Sequence, residues 1–283
     1  MAARNLRYAG EVAVRNPDLA SRLGVTPQEA ATWRDAAAAV YLPYDEELGV
    51  HPQSEGFTRL GVWDFAATGE DEYPLMLHHP YFQLYRQQVV KQADIVLAMQ
   101  LCGEAFTPEQ KRRNVDYYEP LTVRDSSLSS CTQAVLAAEV GYLGLAYDYA
   151  AEAGLMDLRD LHDNTAGGLH MASLAGAWSA LVAGFGGMRD NDGTLRFRPA
   201  LPEGLDRLAF RIVRGESVLG VEVLPDAVTY GIVRGQDPIR LRHVHEELEV
   251  TPGEPVSRPL DRAMDLPPPQ QPAGRAPARR RRA

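Results

Sequence analysis

The chain has 283 residues, 45% of them hydrophobic, and a formal net charge of −9. No apolar run approaches the ~18 residues that cross a bilayer, and the N-terminus lacks the apolar region of a signal peptide. Residues 251–283 carry seven arginines against three acidic residues, which leaves about −13 on the remainder and argues against nucleic-acid binding by the folded part. Cys102 and Cys131 lie in apolar helical patterns, which indicates reduced core thiols in a cytoplasmic protein.

Helical patterns dominate the first 190 residues. Thr26 and Thr107 each begin a capping-box sequence with proline at the next position, which predicts a helix start. The predicted helices cover residues 2–15, 26–40, 80–103, 107–118, 128–140, 142–153 and 170–183. Their short connections predict stacked helical hairpins, as in a toroid. Six or seven helices are about half of the twelve that a closed ring of six hairpins needs.

A glycine-flanked helix at residues 165–190 is the first candidate site. Gly167 and Gly168 precede it, and His170 and Ser173 lie at its start. Free N–H groups of a first helical turn favour an anion, and glycines let the backbone approach a ligand closely. The alternative is that the small residues only allow tight helix packing. Both interpretations remain open on the residues alone.

The pattern changes after residue 190. Apolar and polar residues alternate between Gly and Pro turns up to residue 250, which predicts an antiparallel β module of about five strands. Residues 251–283 are rich in Pro and Arg and are predicted to be disordered. The predicted domains are therefore residues 1–190, 191–250 and 251–283.

Four blocks together resemble glycoside hydrolase family 65, which includes maltose, trehalose and kojibiose phosphorylases and acid trehalases. The blocks read HHPYFQLYRQQVVKQADIVLAM, FTPEQKRRNVDYYEPLTVRDSSLSSC, GGLHMASLAGAWSALVAGFGGMRD and FRPALPEGLDRLAFRIVRG. The resemblance runs from residue 1 to about residue 247. It implies a mainly α fold with a C-terminal β module: part of an (α/α)6 barrel, with about half of its helices, followed by a small antiparallel β-sandwich.

The resemblance also implies the chemistry. The expected reaction is inverting phosphorolysis of an α-glucosyl disaccharide to β-glucose 1-phosphate, with inorganic phosphate as co-substrate, no metal or organic cofactor, and a homodimeric full-length enzyme. By the same resemblance, Lys91 and Gln92 bind the glucose, and Gly168, His170 and Ser173 bind phosphate with Ser127 nearby. The hydroxyl-rich sugar suits the donors and acceptor of a Lys-Gln pair.

The family's general acid is a glutamate in a Gly-Pro-Asp-Glu-Tyr-like segment, which is expected upstream of Met1. Glu72 follows a similar Asp-Glu-Tyr pattern but matches another family position, so it is not assigned catalysis. Glu119 is interpreted as a barrel-rim residue, and Arg124-Asp125 as a structural ion pair. By the same resemblance, residues 44–65 would help shape the active-site rim, with Gln53, Glu55 and Phe57 as candidate contacts for the acceptor sugar. The alternative is a turn that only braces the barrel rim.

The chain is therefore predicted to be the C-terminal part of a longer phosphorylase, and inactive by itself. Two alternatives stay open. A hydrolase of the acid-trehalase type is expected to carry a carboxylate in place of the phosphate donors, and the GGLHMAS loop holds none. A non-catalytic sugar- or phosphate-binding remnant is expected to keep ligand contacts without turnover.

Overall fold

The computed structural model describes residues 1–190, 193–260 and 265–281, and its contacts divide the chain into two units, 1–55 and 56–283. The first unit contains α1 (Ala2–Arg15), α2 (Pro17–Arg22) and α3 (Pro27–Ala39). The Thr26 hydroxyl accepts a hydrogen bond from the Glu29 amide at 3.1 Å. The helix therefore begins where the sequence predicts, because this side chain satisfies a donor that has no partner inside the helix.

The second unit contains the other described helices and begins with a set of short elements. These helices are α4 (Leu75–His78), α5 (Tyr81–Leu84), α6 (Asp94–Leu101), α7 (Pro108–Tyr118), α8 (Ser129–Val140), α9 (Leu143–Leu155), α10 (Met171–Ser179) with a π-helical continuation at Ala180–Phe185, and α11 (Ala278–Arg281). Thr107 and Gln110 form the reciprocal capping box predicted for α7. In the described part of the chain, no helix has both the length and the apolar character needed to cross a bilayer.

The helix predicted over residues 80–103 is not continuous. After α5 the chain becomes extended through β2 (Gln87–Gln88), which pairs in parallel with β1 (Gly61–Val62), and helical structure resumes only at α6. The Val90 amide donates to the Leu121 carbonyl at 2.9 Å. The prediction is wrong here because strand pairing with distant residues outweighs a local helical pattern.

Helices α8, α9 and α10 form the centre of the helical core. An ideal Cβ at Gly176 would lie 2.4 Å from Cys131 Sγ, and one at Gly184 would lie 3.5 Å from Val135 Cα. The later residue of α8 therefore contacts the later residue of α10 and its π-helical continuation. The two helices thus run in the same direction. Cys102 and Cys131 are free and buried, which confirms the predicted core thiols.

An ion-pair cluster closes the far end of α8. Glu139 accepts from Lys111 at 2.6 Å and from Arg189 at 2.5 Å, so it connects α7 to the segment after the π helix. Burial alone would raise the pKa of Glu139, but the two cations outweigh that effect and hold its pKa below the usual value.

Two sheets follow the helices. Their strands are β3 (Leu195–Phe197), β4 (Leu208–Arg214), β5 (Ser217–Val223), β6 (Ala227–Arg234), β7 (Ile239–His243), β8 (Glu246–Val250) and β9 (Val256–Pro259). The orders are β3-β7-β8 and β4-β5-β6-β9, with β3–β7 parallel and the other pairs antiparallel. The predicted fold class, a helical part followed by a mainly antiparallel β module, is confirmed.

The predicted disordered tail is corrected where the structure describes it. Val256–Pro259 form the edge strand β9 against β6, and residues 265–281 pack against the helices. The Leu266 amide donates to the Gly141 carbonyl at 2.9 Å. Residues 191–192, 261–264 and 282–283 lie outside the described part of the chain, including the last arginine of the predicted basic run. The three-domain division stays a prediction.

Candidate functional site

The three predicted ligand-binding segments begin at one end of the helical core. The Asp125 amide donates to the Lys91 carbonyl at 3.1 Å, so the Lys91-Gln92 pair, just before α6, lies beside the segment that contains Ser127, just before α8. Because α8 and α10 run in the same direction, His170, which precedes α10, lies at that end as well. Helix N-termini carry partial positive charge, so this end of the core favours an anion.

A carboxylate holds His170 in place. Asp157 Oδ2 accepts from the His170 amide at 2.8 Å, and Asp157 Oδ1 lies 2.6 Å from the ring nitrogen Nδ1. The Asp157 side chain is only 6% exposed, and the hydrogen bond from His170 lowers its pKa. Asp157 thus engages both the backbone amide and the Nδ1 side of His170.

The turn before His170 is fixed by a second carboxylate. Asp160 Oδ1 accepts from the amides of Asn164 and Thr165, both at 2.9 Å, and from the Thr165 hydroxyl at 2.6 Å. Gly168 is exposed and has φ of 132°, a conformation that favours glycine. The predicted phosphate loop is therefore a shaped turn with an exposed backbone. Sequence reasoning missed both aspartates, since neither lies in a capping or catalytic pattern.

The other predicted residues differ in their accessibility. Lys91 is exposed, and Gln92 and Ser127 are partly buried. The side-chain amide of Gln92 donates through Nε2 to Asp94 Oδ1 at 3.0 Å. Ser173 is completely buried, and its hydroxyl donates to the Ala153 carbonyl at 3.4 Å. Of the predicted phosphate set, the structure thus presents Gly168, His170 and Ser127 to solvent but gives Ser173 a partner in α9.

A buried polar network lies next to this end of the core. The fully buried Tyr149 donates its hydroxyl to Glu119 and accepts from Arg124 at 2.9 Å, and Gln133 donates to the other Glu119 oxygen at 2.8 Å. Burial raises the pKa of Tyr149 well above its usual value, so its hydroxyl remains a donor. Glu119 is 4% exposed, and its place at the barrel rim stays a prediction.

The expected Arg124-Asp125 pair is replaced by separate partners. Arg124 contacts Tyr149 and lies 3.9 Å from Glu152, whereas Asp125 accepts from the Leu75 amide at 2.8 Å and pairs with Arg275 at 2.9 Å. Arg124 has φ of 55°. That strained backbone conformation turns the two consecutive side chains toward different partners.

The remaining candidates have structural roles. Glu72 accepts from the Gly69 amide at 2.7 Å and lies 3.2 Å from His79. Its carboxylate therefore stabilises a local turn. Phe57 is 2% exposed and stacks on Tyr118, so it belongs to the core and does not reach a sugar. Among the residues that the structure describes, no group of three or more His, Cys, Asp or Glu side chains is arranged to hold a metal ion.

Comparison with known families identifies the fold. Residues 1–179 match the glycosyl hydrolase family 65 central catalytic domain, and residues 188–250 match the C-terminal domain of the same family. The chain belongs to glycosyl hydrolase family 65. The family resemblance of the four sequence blocks is thereby confirmed.

Relatives within family 65 extend the comparison. The chain is 55% identical over 285 residues to an uncharacterized glycosyl hydrolase of Mycobacterium tuberculosis, covering 99% of this chain and 36% of that protein. It is 37% identical over 262 residues to an α,α-trehalose phosphorylase of Thermoanaerobacter brockii, covering 90% of this chain and 34% of that enzyme. A solved putative kojibiose phosphorylase from human microbiome matches with a TM-score of 0.80 and 27% identity, over 92% of this chain and 36% of that one. The family 65 chain thus spans about a third of the length of these relatives.

Proposed function

We propose that this chain forms the phosphate-binding and glucose-binding half of an inverting disaccharide phosphorylase. The observation that carries the proposal is the meeting of three segments at one end of the helical core, through the Lys91–Asp125 backbone bond and the parallel course of α8 and α10. The names of relatives such as the trehalose phosphorylase support a phosphate-dependent reaction.

The phosphate half of the site would hold the nucleophile. The Ser127 hydroxyl is a neutral donor, and His170 Nε2 donates when the imidazole carries both protons, because Nδ1 faces Asp157. The Gly168 amide donates to the Thr165 carbonyl at 3.0 Å and would join only after leaving it. The adjacent helix starts add positive potential. Ser173 belongs to the same predicted set, and its hydroxyl would join only after leaving the Ala153 carbonyl. A phosphate oxygen held in this way attacks the anomeric carbon from the face opposite the leaving sugar, which inverts its configuration.

The glucose half would use Lys91 and Gln92. An ammonium and an amide together offer several donors and one acceptor, which suits neighbouring hydroxyls of a pyranose. The glycosidic bond breaks as the phosphate oxygen bonds to carbon, and a general acid must protonate the departing oxygen. We assign that acid to no residue of this chain: Glu72 braces a turn, and the oxygens of Glu119 accept from Tyr149 and Gln133.

The assay is turnover of maltose, trehalose and kojibiose by the purified chain, with and without phosphate, with glucose 1-phosphate and glucose both measured. The proposal predicts no turnover by the chain alone, and phosphate-dependent glucose 1-phosphate from a longer protein that contains it. Glucose release without phosphate would instead identify a hydrolase. Turnover by the chain that is lost in Glu119→Gln or Glu72→Gln would overturn the assignment of the acid.

A further inference from the structure

The segment at residues 265–281 lies against the helical core, although its composition predicts disorder. Its central residue is Arg275. The Arg275 guanidinium donates to the Val123 carbonyl at 2.6 Å, pairs with Asp125 at 2.9 Å and lies 4.4 Å from the centre of the Tyr73 ring. Only 17% of the Arg275 side chain and 2% of the Asp125 side chain are exposed. The Arg275 carbonyl in turn accepts from Arg124.

Other contacts continue the attachment on both sides of Arg275. Gln271 donates to Glu119 at 2.9 Å, and the Ala278 amide donates to Glu152 at 2.7 Å. Arg279 lies 3.5 Å from Asp148 and 4.9 Å from the centre of the Tyr147 ring. The segment therefore places amide and guanidinium groups on carboxylates and aromatic faces. This complementarity agrees with the basic tail and acidic remainder of the sequence.

The attachment point is next to the candidate site. Asp125 is bonded through its amide to Lys91 and lies two residues before Ser127. Burial raises the pKa of Asp125, and the charges of Arg275 and Lys91 oppose that rise, so both cations act on one carboxylate. Arg275 thus pairs with the residue whose backbone is bonded to Lys91, which the proposed function assigns to glucose.

We propose that residues 265–281 form a strap that binds this acidic and aromatic surface and excludes the disaccharide from the glucose-binding half of the site. The binding of the strap stands on its own contacts, whereas its competition with sugar rests on the proposed function. The surface has the chemistry of a site for an arginine-containing peptide, and the chain supplies that peptide in cis. Release of the strap would open the glucose-binding half.

The first test uses a synthetic peptide of residues 265–281 and a chain that ends at Leu260, with binding followed by fluorescence anisotropy. We expect saturable binding that weakens with salt. Replacement of Arg275 by Gln in the peptide is expected to weaken binding roughly tenfold or more, because it removes the charged partner of the buried Asp125. Gln270→Ala is the matched control, since Gln270 is exposed while its neighbour Gln271 contacts Glu119. A folded shortened chain that does not bind the peptide would overturn the strap.

The second test uses the full chain, so it does not depend on the shortened form folding. Hydrogen exchange in residues 265–281 and calorimetric glucose affinity are measured for the unchanged chain, Arg275→Gln, Gln271→Ala and Gln270→Ala. Faster exchange and tighter glucose binding in the first two variants support the proposal. Faster exchange with unchanged glucose affinity would overturn the exclusion of sugar. Peptide binding without glucose binding in any form would uphold the attachment and contradict the proposed function.

Discussion

Gly176 offers a sharp test of how α8 and α10 set the site. A Cβ at this position would lie 2.4 Å from Cys131 Sγ and 2.6 Å from Cys131 Cβ, whereas packed carbon atoms lie about 3.5–4.0 Å apart. Rotation of the thiol cannot relieve the second contact, so Gly176→Ala must move the helices apart by about 1 Å. Overpacking costs about 1–3 kcal/mol. Alanine has a higher helix propensity than glycine, which offsets up to about 1 kcal/mol of that cost.

With the full propensity gain subtracted, we expect Gly176→Ala to lower the free energy of unfolding by up to about 2 kcal/mol. Each kcal/mol corresponds to roughly 2–4 °C in Tm. Gly154→Ala is the control, because its Cβ would meet only Ala177 Cβ, at an ordinary 3.9 Å. That variant is expected to be as stable as the unchanged chain, or more so. Urea unfolding of the three proteins decides the matter. A Gly176→Ala chain as stable as Gly154→Ala would refute the close approach of the two helices.

Three other side chains give further tests. Asp157→Asn is expected to weaken phosphate binding by removing the charged acceptor that orients His170, and calorimetry with unchanged affinity would contradict this role. Tyr149→Phe removes the hydroxyl that donates to Glu119, so the free energy of unfolding is expected to fall by about 1–3 kcal/mol; an unchanged urea midpoint would argue against the network. Because the pKa of Glu139 is lowered by folding, its stabilisation is complete above the unfolded pKa and is lost as the pH falls through the folded pKa. Below roughly pH 4.3 the unchanged chain should lose stability more steeply than Glu139→Gln, and parallel pH curves would contradict that linkage.

Local signals account for the features that the sequence predicts well. Thr26 and Thr107 predict helix starts because a capping hydroxyl and its donor lie within one turn. The glycine-rich turn before α10 is also local, since the conformation of Gly168 depends on its own backbone. The family blocks add which residues are expected to bind sugar and phosphate.

Long-range contacts account for what the sequence does not predict. Residues 87–90 have a helical pattern, but they are extended because they pair with residues 61–62 and 121–123. The strap lacks periodic apolar residues, and its order depends on partners such as Asp125, 150 residues away from Arg275. Asp157 is 13 residues from His170. None of these pairs lies within the one helical turn that a capping signal spans, and no periodic pattern connects their members.

The most direct test of the half-site is a phosphate titration of the chain followed by the amide resonances of Gly168, His170 and Ser127. We expect all three resonances to shift together, with one dissociation constant, and His170→Ala to weaken the binding. His245→Ala, which changes an exposed histidine in the turn between β7 and β8, is expected to leave that constant unchanged. Phosphate could instead shift the resonances of other amides but not these three, or could bind His170→Ala with an unchanged dissociation constant. Either result would contradict the proposed phosphate site.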